Sequence, residues 1–413
     1  MATQTPTARG AAAHSTRGIV PPLFPRTMAS NSWDYVKEVI DSGLTHDSVS
    51  EFEESFAKQL GVKHVIATPT CTTAMAALAL TFEFQPGDEI IISPLTDYGT
   101  VYGILTTDCI PVFPDTAPGT VNFNAATIEP CITDRTRGIL AVHKCGLPVD
   151  IDPINELASK HDIIVYEDVC QAAFGEYKGQ PLGTLATASA WSLDSEKTFS
   201  SDKGGCIATN DDELAERYRF LSTGRAAVDE EHFGRKHTEF GHAYDMSRMT
   251  AALCRAQLET IRDNVDKIDR IIRYYTEKAS HIPGITPLPI PDYVTKYSAW
   301  MISFSIDPDA FTCTGEEFAK QVEEAGFTGA GQGKYYLMPE AMPFLQENVD
   351  ANRYPFTQPP ASRTYQYSAA TCPVAWEFLH HWVRSCSISE KWEEEHIDTI
   401  VDIISEVADQ NRS

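Results

Sequence analysis

Short apolar runs alternate with longer stretches of mixed polarity between residues 64 and 209. His64–Thr68, Glu89–Ser93, Cys109–Phe113, Gly138–His143, Ile163–Asp168, Ser189–Leu193 and Gly205–Thr209 are nearly continuous in apolar residues. That is the pattern of strands covered on both faces. Thr73–Phe82 and Ile154–His161 fall between such runs and are predicted as helices. The alternation predicts an α/β domain with a mostly parallel central sheet flanked by helices. In such sheets ligands bind at the carboxyl ends of the strands, so polar residues directly after a strand carry the interest.

Further along, Leu258, Ile261, Val265, Ile268, Ile272 and Tyr275 recur at spacings of three and four, one apolar face of a long helix. A Pro-rich stretch, His281–Pro291, reads as a linker into a smaller C-terminal α+β domain. Ser389–Ala408 is predicted as an acidic amphipathic helix that buries Ile397, Ile400, Val401 and Ile404. The expected division is an N-terminal extension over 1–30, disordered in part, a large domain over 31–255, a connecting helix over 256–280 and a small domain over 281–413. Met1–Gly18 lacks the apolar core of a secretory signal.

Charge narrows the partners. The 413 residues carry a net charge of −25 and no Lys/Arg-rich run, which disfavours nucleic acid and anionic membrane surfaces. The ten cysteines form no C-x-x-C pair and no metal-ligand spacing, so no metal is expected. They read as reduced thiols of a cytoplasmic protein.

Four polar clusters follow predicted strands. Thr70-Cys71-Thr72-Thr73 stands at a helix start, where free N–H groups, hydroxyls and the positive dipole end suit a phosphate, and where a plain Thr N-cap would look the same. Asp168 ends its strand, either as a carboxylate aimed into the crevice or as a helix cap. Lys197 lies in the polar turn Ser192–Gly205, a nucleophilic amine if held in a cleft and a surface lysine otherwise. His143 ends a fourth strand, as a substrate contact or as a satisfied structural histidine. Together, an Asp, a Lys 29 residues later and a hydroxyl-rich helix start suit pyridoxal 5′-phosphate (PLP). That cofactor needs a lysine for its imine, an acid at its pyridine nitrogen and a phosphate cup.

These segments resemble the DegT/DnrJ/EryC1/StrS family of PLP-dependent sugar aminotransferases. The family's E-D-x-A-Q-A-x-G-A-x-Y-K-G-K stands here as EDVCQAAFGEYKGQ (167–180), and its S-F-x-x-x-K-x-x-x-x-G-E-G-G as SLDSEKTFSSDKGG (192–205). Its V-H-x-x-G-x-P-x-D-x-D-P-I is VHKCGLPVDIDPI (142–154), and its S-G-T-A-A-L is the looser TCTTAM (70–75).

The resemblance implies fold type I of the PLP-dependent transferases and a homodimer with shared active sites. It implies that Lys197 forms the imine and moves the proton, that Asp168 keeps the pyridine nitrogen protonated, and that Gln171 meets the ring. Ser192, Thr72 and the backbone at Cys71 would hold the phosphate. An amino acid, Glu or Gln, would leave its amine on the cofactor as pyridoxamine 5′-phosphate, and a keto-sugar or ketocyclitol would take it up in amino-sugar or natural-product biosynthesis. Retention of Lys197 argues against the family's dehydratase branch, which carries His there. The competing readings are another PLP reaction on the same scaffold, such as elimination or cyclisation, and a non-catalytic regulatory relative.

Three departures matter. The ring-stacking aromatic position falls on Asp97, with Tyr98 beside it as the candidate. The family's G-Y-N-Y-R-M reads Gly241-His242-Ala243-Tyr244-Asp245-Met246, replacing its Asn by Ala243 and its Arg by Asp245. A carboxylate in place of Arg repels a phosphate, which points away from the usual nucleotide-diphosphate grip. Thr328–Lys334 is Gly-rich without being a P-loop, and Lys334 is a candidate substrate contact on a loop.

Overall fold

The computed structural model describes residues 20–361, 363–386 and 388–413. Most of the expected N-terminal extension, residues 1–19, lies outside the described residues. Its described end is tied down: Lys391 Nζ donates to the carbonyls of Pro22 and Leu23, each at 3.1 Å, and the Ala29 N–H donates to Gln257 at 2.9 Å.

Seven strands form the central sheet: β1 (His64–Thr68), β2 (Glu89–Ile92), β3 (Ile110–Val112), β4 (Thr136–Val142), β5 (Ile164–Asp168), β6 (Ala188–Ser192) and β7 (Gly205–Thr209). Their spatial order is β1-β7-β6-β5-β4-β2-β3, and only β7 runs against the others. All seven apolar runs of the sequence are strands, two with identical ends and the rest shifted by one or two residues. The central strands are buried on both faces, as their unbroken Val/Ile/Ala runs require. Helices α1 (Ser48–Leu60), α2 (Cys71–Thr81) and α3 (Tyr98–Leu105) cover the sheet, and Ala74, Ala77, Leu78 and Val101 enter its core.

The long apolar stripe is divided between two helices. Arg248–Leu258 ends at Glu259, and α4 (Ile261–Ala279) restarts after Thr260. Along α4 the first buried residues, Ile261 and Val265, belong to the core of the large sheet, while Ile268, Ile271, Ile272 and Tyr275 belong to a second core. The second core is roofed by a four-stranded antiparallel sheet of Ile285–Pro287, Met301–Ile306, Trp382–Cys386 and Ala330–Gly331, and by the C-terminal helix Glu394–Gln410. The Pro-rich stretch read as a linker is therefore partly an edge strand, with Ile282, Ile285 and Leu288 buried. Proline is tolerated there because an edge has ladder positions that need no N–H.

One later segment returns to the first core. Met338, Met342, Leu345, Phe356, Tyr365 and Tyr367 all pack into it. The strap is anchored on Glu89, which is fully buried at the start of β2 and accepts from Tyr365 Oη at 2.6 Å, Arg363 at 2.9 Å and Thr133 at 2.8 Å. Among the described residues no helix is long and apolar enough to cross a membrane.

Candidate active site

The carboxyl ends of β1, β4, β5 and β6 converge on a cavity of about 520 Å³. Thr70, Cys71, Thr72, His143, Asp168, Gln171, Ser192 and Lys197 all line it, so seven of the nine residues nominated from the sequence, with Thr70 beside them, are brought together. The two that are not are Tyr98 and Lys334.

Helix α2 starts at the cavity wall. Thr70 is its N-cap, and a reciprocal pair with Thr73 satisfies the Thr73 N–H at 3.1 Å. The cap reading of this cluster is thus true of Thr70, and it leaves the phosphate reading intact for its neighbours. The N–H groups of Cys71 and Thr72, in the first turn, have no partner among the described residues. Two glycines keep this start accessible. A Cβ on Gly205 would lie 2.3 Å from the Cys71 nitrogen, and one on Gly99 would lie 2.8 Å from Thr72 Oγ1. Unpartnered N–H groups at a helix start, a free hydroxyl and close backbone approach form an anion cradle.

Across the cavity Asp168 is nearly fully buried. Its Oδ2 accepts from Thr100 Oγ1 at 2.8 Å, and its Oδ1 accepts from the Cys170 N–H at 2.9 Å. Thr100 in turn accepts from Thr96 at 3.0 Å, so a hydroxyl chain from the β2–α3 connection fixes the carboxylate. Thr96 and Thr100 are residues that sequence reasoning missed. Thr96 lies in the connection that leaves the carboxyl end of β2 and Thr100 in the helix that follows it, and that position was the available signal.

Lys197 sits in the turn after β6, held by its own N–H on Asp194 O at 2.9 Å and by Ser192 Oγ, which accepts from the Asp194 N–H at 3.4 Å. Its amine lies 4.1 Å from the centre of the Trp300 ring and has no hydrogen bond among the described residues. Trp300, from the second core, ties the site together: its indole donates to Glu196 O at 3.0 Å and its backbone N–H to Cys145 O at 3.1 Å. Gln171 accepts the Cys145 N–H at 2.7 Å, which leaves its NH2 without a partner among the described residues.

His143 is fully buried. Val149 N–H donates to Nδ1 at 3.2 Å, so Nε2 carries the proton and donates to Glu167 at 3.0 Å. Glu167 is completed by the N–H groups of Gly183 and Leu185, each at 2.8 Å. Both ring nitrogens are spent, so His143 offers the cavity no nitrogen for a substrate. Tyr98 is half exposed and leans on Tyr102, with ring centres 6.1 Å apart, outside the cavity lining. Asp97 lines the cavity instead, as the α3 N-cap on Gly99 N–H at 3.0 Å. Lys334 turns to Glu316 at 3.7 Å, and its neighbours Tyr335 and Tyr336 form that wall. Ala243 and Asp245 are exposed and are not among the residues that line this cavity.

The residues fit PLP: a cradle for the phosphate, a fixed carboxylate for the pyridine nitrogen, an unpaired amide for the ring oxygen and an amine within the same cavity. The comparisons decide the family. The model of the DegT/DnrJ/EryC1/StrS aminotransferase family matches residues 26–405. The chain belongs to that family. It is a PLP-dependent aminotransferase. Its family relatives include GDP-perosamine synthase of Caulobacter vibrioides, 30% identical over 299 residues, which covers 72% of this chain and 80% of that one. UDP-4-amino-4-deoxy-L-arabinose–oxoglutarate aminotransferase of Shewanella sediminis is 31% identical over 325 residues, covering 76% and 83%. Among solved structures, an aminotransferase from Psychrobacter cryohalolentis superposes with a TM-score of 0.80 at 22% identity, over 93% of this chain and 98% of that one. 3-Amino-5-hydroxybenzoic acid synthase does so with 0.81 at 19%, over 94% and 98%. The fold is fold type I.

Proposed function

We propose that this aminotransferase moves an amino group from an amino acid, Glu or Gln, to the ketone of a sugar or cyclitol. The observation that carries the reading is the joint presence of Asp168, Lys197 and the α2 cradle in one cavity, in a chain whose relatives are named for amino-sugar synthesis. Cys71, Thr72 and Ser192 would hold the phosphate, Asp168 the pyridine nitrogen, Gln171 the ring oxygen and Lys197 the aldehyde carbon. When bound, PLP supplies an electron sink for the pair released as the donor's α-proton leaves. Asp168, fixed by the Thr100 and Cys170 hydrogen bonds, would hold a proton at the pyridine nitrogen. Lys197 would then serve as the base, its amine placed in the cavity to take the α-proton of the donor and to give a proton back. Trp300 orients that amine through its ring face and excludes water from one side.

Two further readings go with this one. The protein acts as a homodimer in the cytoplasm: Phe233 and Phe240 stand well exposed on and beside the hairpin of Ala227–Glu230 and Gly234–His237, and the nine described cysteines are free thiols. The grip on the keto substrate does not rest on an arginine at Asp245. A panel of donors and ketones, read by loss of the visible cofactor band on adding the donor, tests the reaction. No shift with any amino acid would favour a different PLP reaction. Micromolar competition by UDP, GDP or dTDP would sink the proposed departure from the nucleotide grip.

A further inference from the structure

Two thiols meet inside the cofactor cavity. Cys71 stands at the first position of α2, and Cys170 stands two residues after Asp168. They are 99 residues apart in sequence, yet their sulfurs lie 2.8 Å apart, nearer than two unbonded sulfurs ordinarily sit. Both residues line the cavity and both are half-buried. In the family motifs quoted above these two positions read Gly and Ala, so neither sulfur is required by the motif that surrounds it.

The surroundings decide between two uses of such a pair. The two sulfurs and an Asp168 oxygen lie within 4.8 Å of one another, a three-atom set that a thiophilic metal could occupy. Asp168, however, already accepts from Thr100 and from the Cys170 N–H. Ligation would have to compete with those hydrogen bonds for the same oxygens. The remaining option uses the sulfurs alone.

We propose that Cys71 and Cys170 form a thiol-oxidation site, in which a hydroperoxide joins them as a disulfide when the cavity is empty and a bound cofactor shields them. One sulfur attacks the terminal oxygen of the peroxide; the O–O bond breaks, hydroxide leaves as water with the thiol proton, and a sulfenic acid remains. The second thiol attacks that sulfur, the S–O bond breaks, and a second water leaves. The two thiols lose two electrons and hydrogen peroxide takes them up. The bond would pin the helix start that forms the anion cradle to the turn that carries Asp168, the two sides that the phosphate and the pyridine nitrogen would span.

Accessibility sets the pace. Cys170 is raised well above the ordinary thiol value, first by burial and then by the neighbouring thiol and Asp168. For Cys71 the contact with Cys170 acts downward, but burial and the Asp168 charge outweigh it and leave that thiol raised too. Thiolate is therefore scarce at neutral pH, and the reaction is slow relative to a sensor cysteine.

The shielding clause rests on the PLP reading above; the cross-link does not. The test uses the full chain, with and without added PLP, exposed to hydrogen peroxide, alkylated and mapped as non-reduced peptides. The expected result is one cross-linked pair, Cys71 with Cys170, two hydrogens lighter than the separate peptides and reversed by dithiothreitol. PLP at roughly 100 times its Kd should slow its formation roughly 100-fold. Cys71→Ser and Cys170→Ser should each abolish the cross-link and leave one more alkylated thiol than the oxidised parent. Separate sulfinic acids on the two residues, or cross-links that form first between other cysteines, would overturn the proposal. Cross-linking at an unchanged rate in protein whose visible band shows bound PLP would overturn the shielding. Protein that never develops the band refutes the PLP reading and leaves the cross-link to be judged alone.

Discussion

Lys197 presents an amine whose contact in the cavity is the face of an indole, and that sets what its loss should do. Lys197→Ala should remove the visible band of PLP-loaded protein and its fixation by borohydride, with little change in thermal unfolding, because no hydrogen bond of the amine is lost. Asp168 is different, since its neighbours are built around its charge. Asp168→Asn should lower kcat at least roughly 100-fold, the order found when a preorganised electrostatic partner is removed. Thr100→Val should act through the carboxylate: one charge-assisted hydrogen bond is lost, worth about 1.5–3 kcal/mol. PLP affinity, read by fluorescence titration, should then fall roughly tenfold or more, with Lys197 untouched. Asp194 gives a pH signature. Burial alone would raise its carboxyl, but Lys203 at 2.5 Å, the Glu196 N–H and Lys197 outweigh it and hold it below its ordinary value. A depressed acid stabilises the fold above its unfolded pKa and loses that contribution as pH falls through the folded value. The gap in unfolding free energy between the parent and Asp194→Asn should therefore be about 0.5–1 kcal/mol at neutral pH, given the exposed Lys203, and should close in acid below the ordinary carboxylate range.

At the scale of elements, the site is a set of close approaches between a helix start and strand ends. Gly205→Ala should push α2 away from β7, since the added carbon has backbone atoms of Thr70 and Cys71 within 2.5 Å. A cost of about 1–3 kcal/mol in chemical denaturation is expected, with a larger loss in PLP binding than in folding. Gly331→Ala, with nothing within 4 Å, is the near-neutral control. This scale also explains what the sequence could tell. Unbroken runs such as Ile90-Ile91-Ile92 and Ile139–Val142 marked the sheet, because strands buried on both faces have no polar side to confuse the pattern. Asp168 was legible because it ends its strand, and Lys197 because it lies in the polar turn after one. The break at Glu259–Thr260 was not, since the apolar spacing continues across it. Trp300 was not either: it arrives from the second core, 103 residues after Lys197, and only folding makes the two neighbours. Tyr98 lies outside the lining because Asp97 before it is still in extended backbone as the cap, while Tyr98 is the first helical residue and lies on the face shared with Tyr102, four residues on.

The whole molecule is held by a chain path that leaves the first core and comes back to it. Tyr365→Phe removes one of four side-chain hydrogen-bond partners from the buried Glu89 and should destabilise the protein by about 2 kcal/mol, measured by chemical denaturation. Light scattering should give about twice the chain mass of 45.7 kDa, and Phe233→Ser with Phe240→Ser should reduce that association if the hairpin lies in the contact. The returning strap bears on synthesis as well. During translation, the large sheet emerges from the ribosome with a strip of its core uncovered and Glu89 lacking two of its partners. Tyr335, Tyr336 and Trp300 are still to come, and the cavity lacks a wall. A nascent chain halted before the strap is complete should expose apolar surface to chaperones and proteases, and it should not hold PLP. The enzyme becomes competent for its cofactor only after the ribosome has passed the strap, well over a hundred residues beyond the last strand of the large sheet.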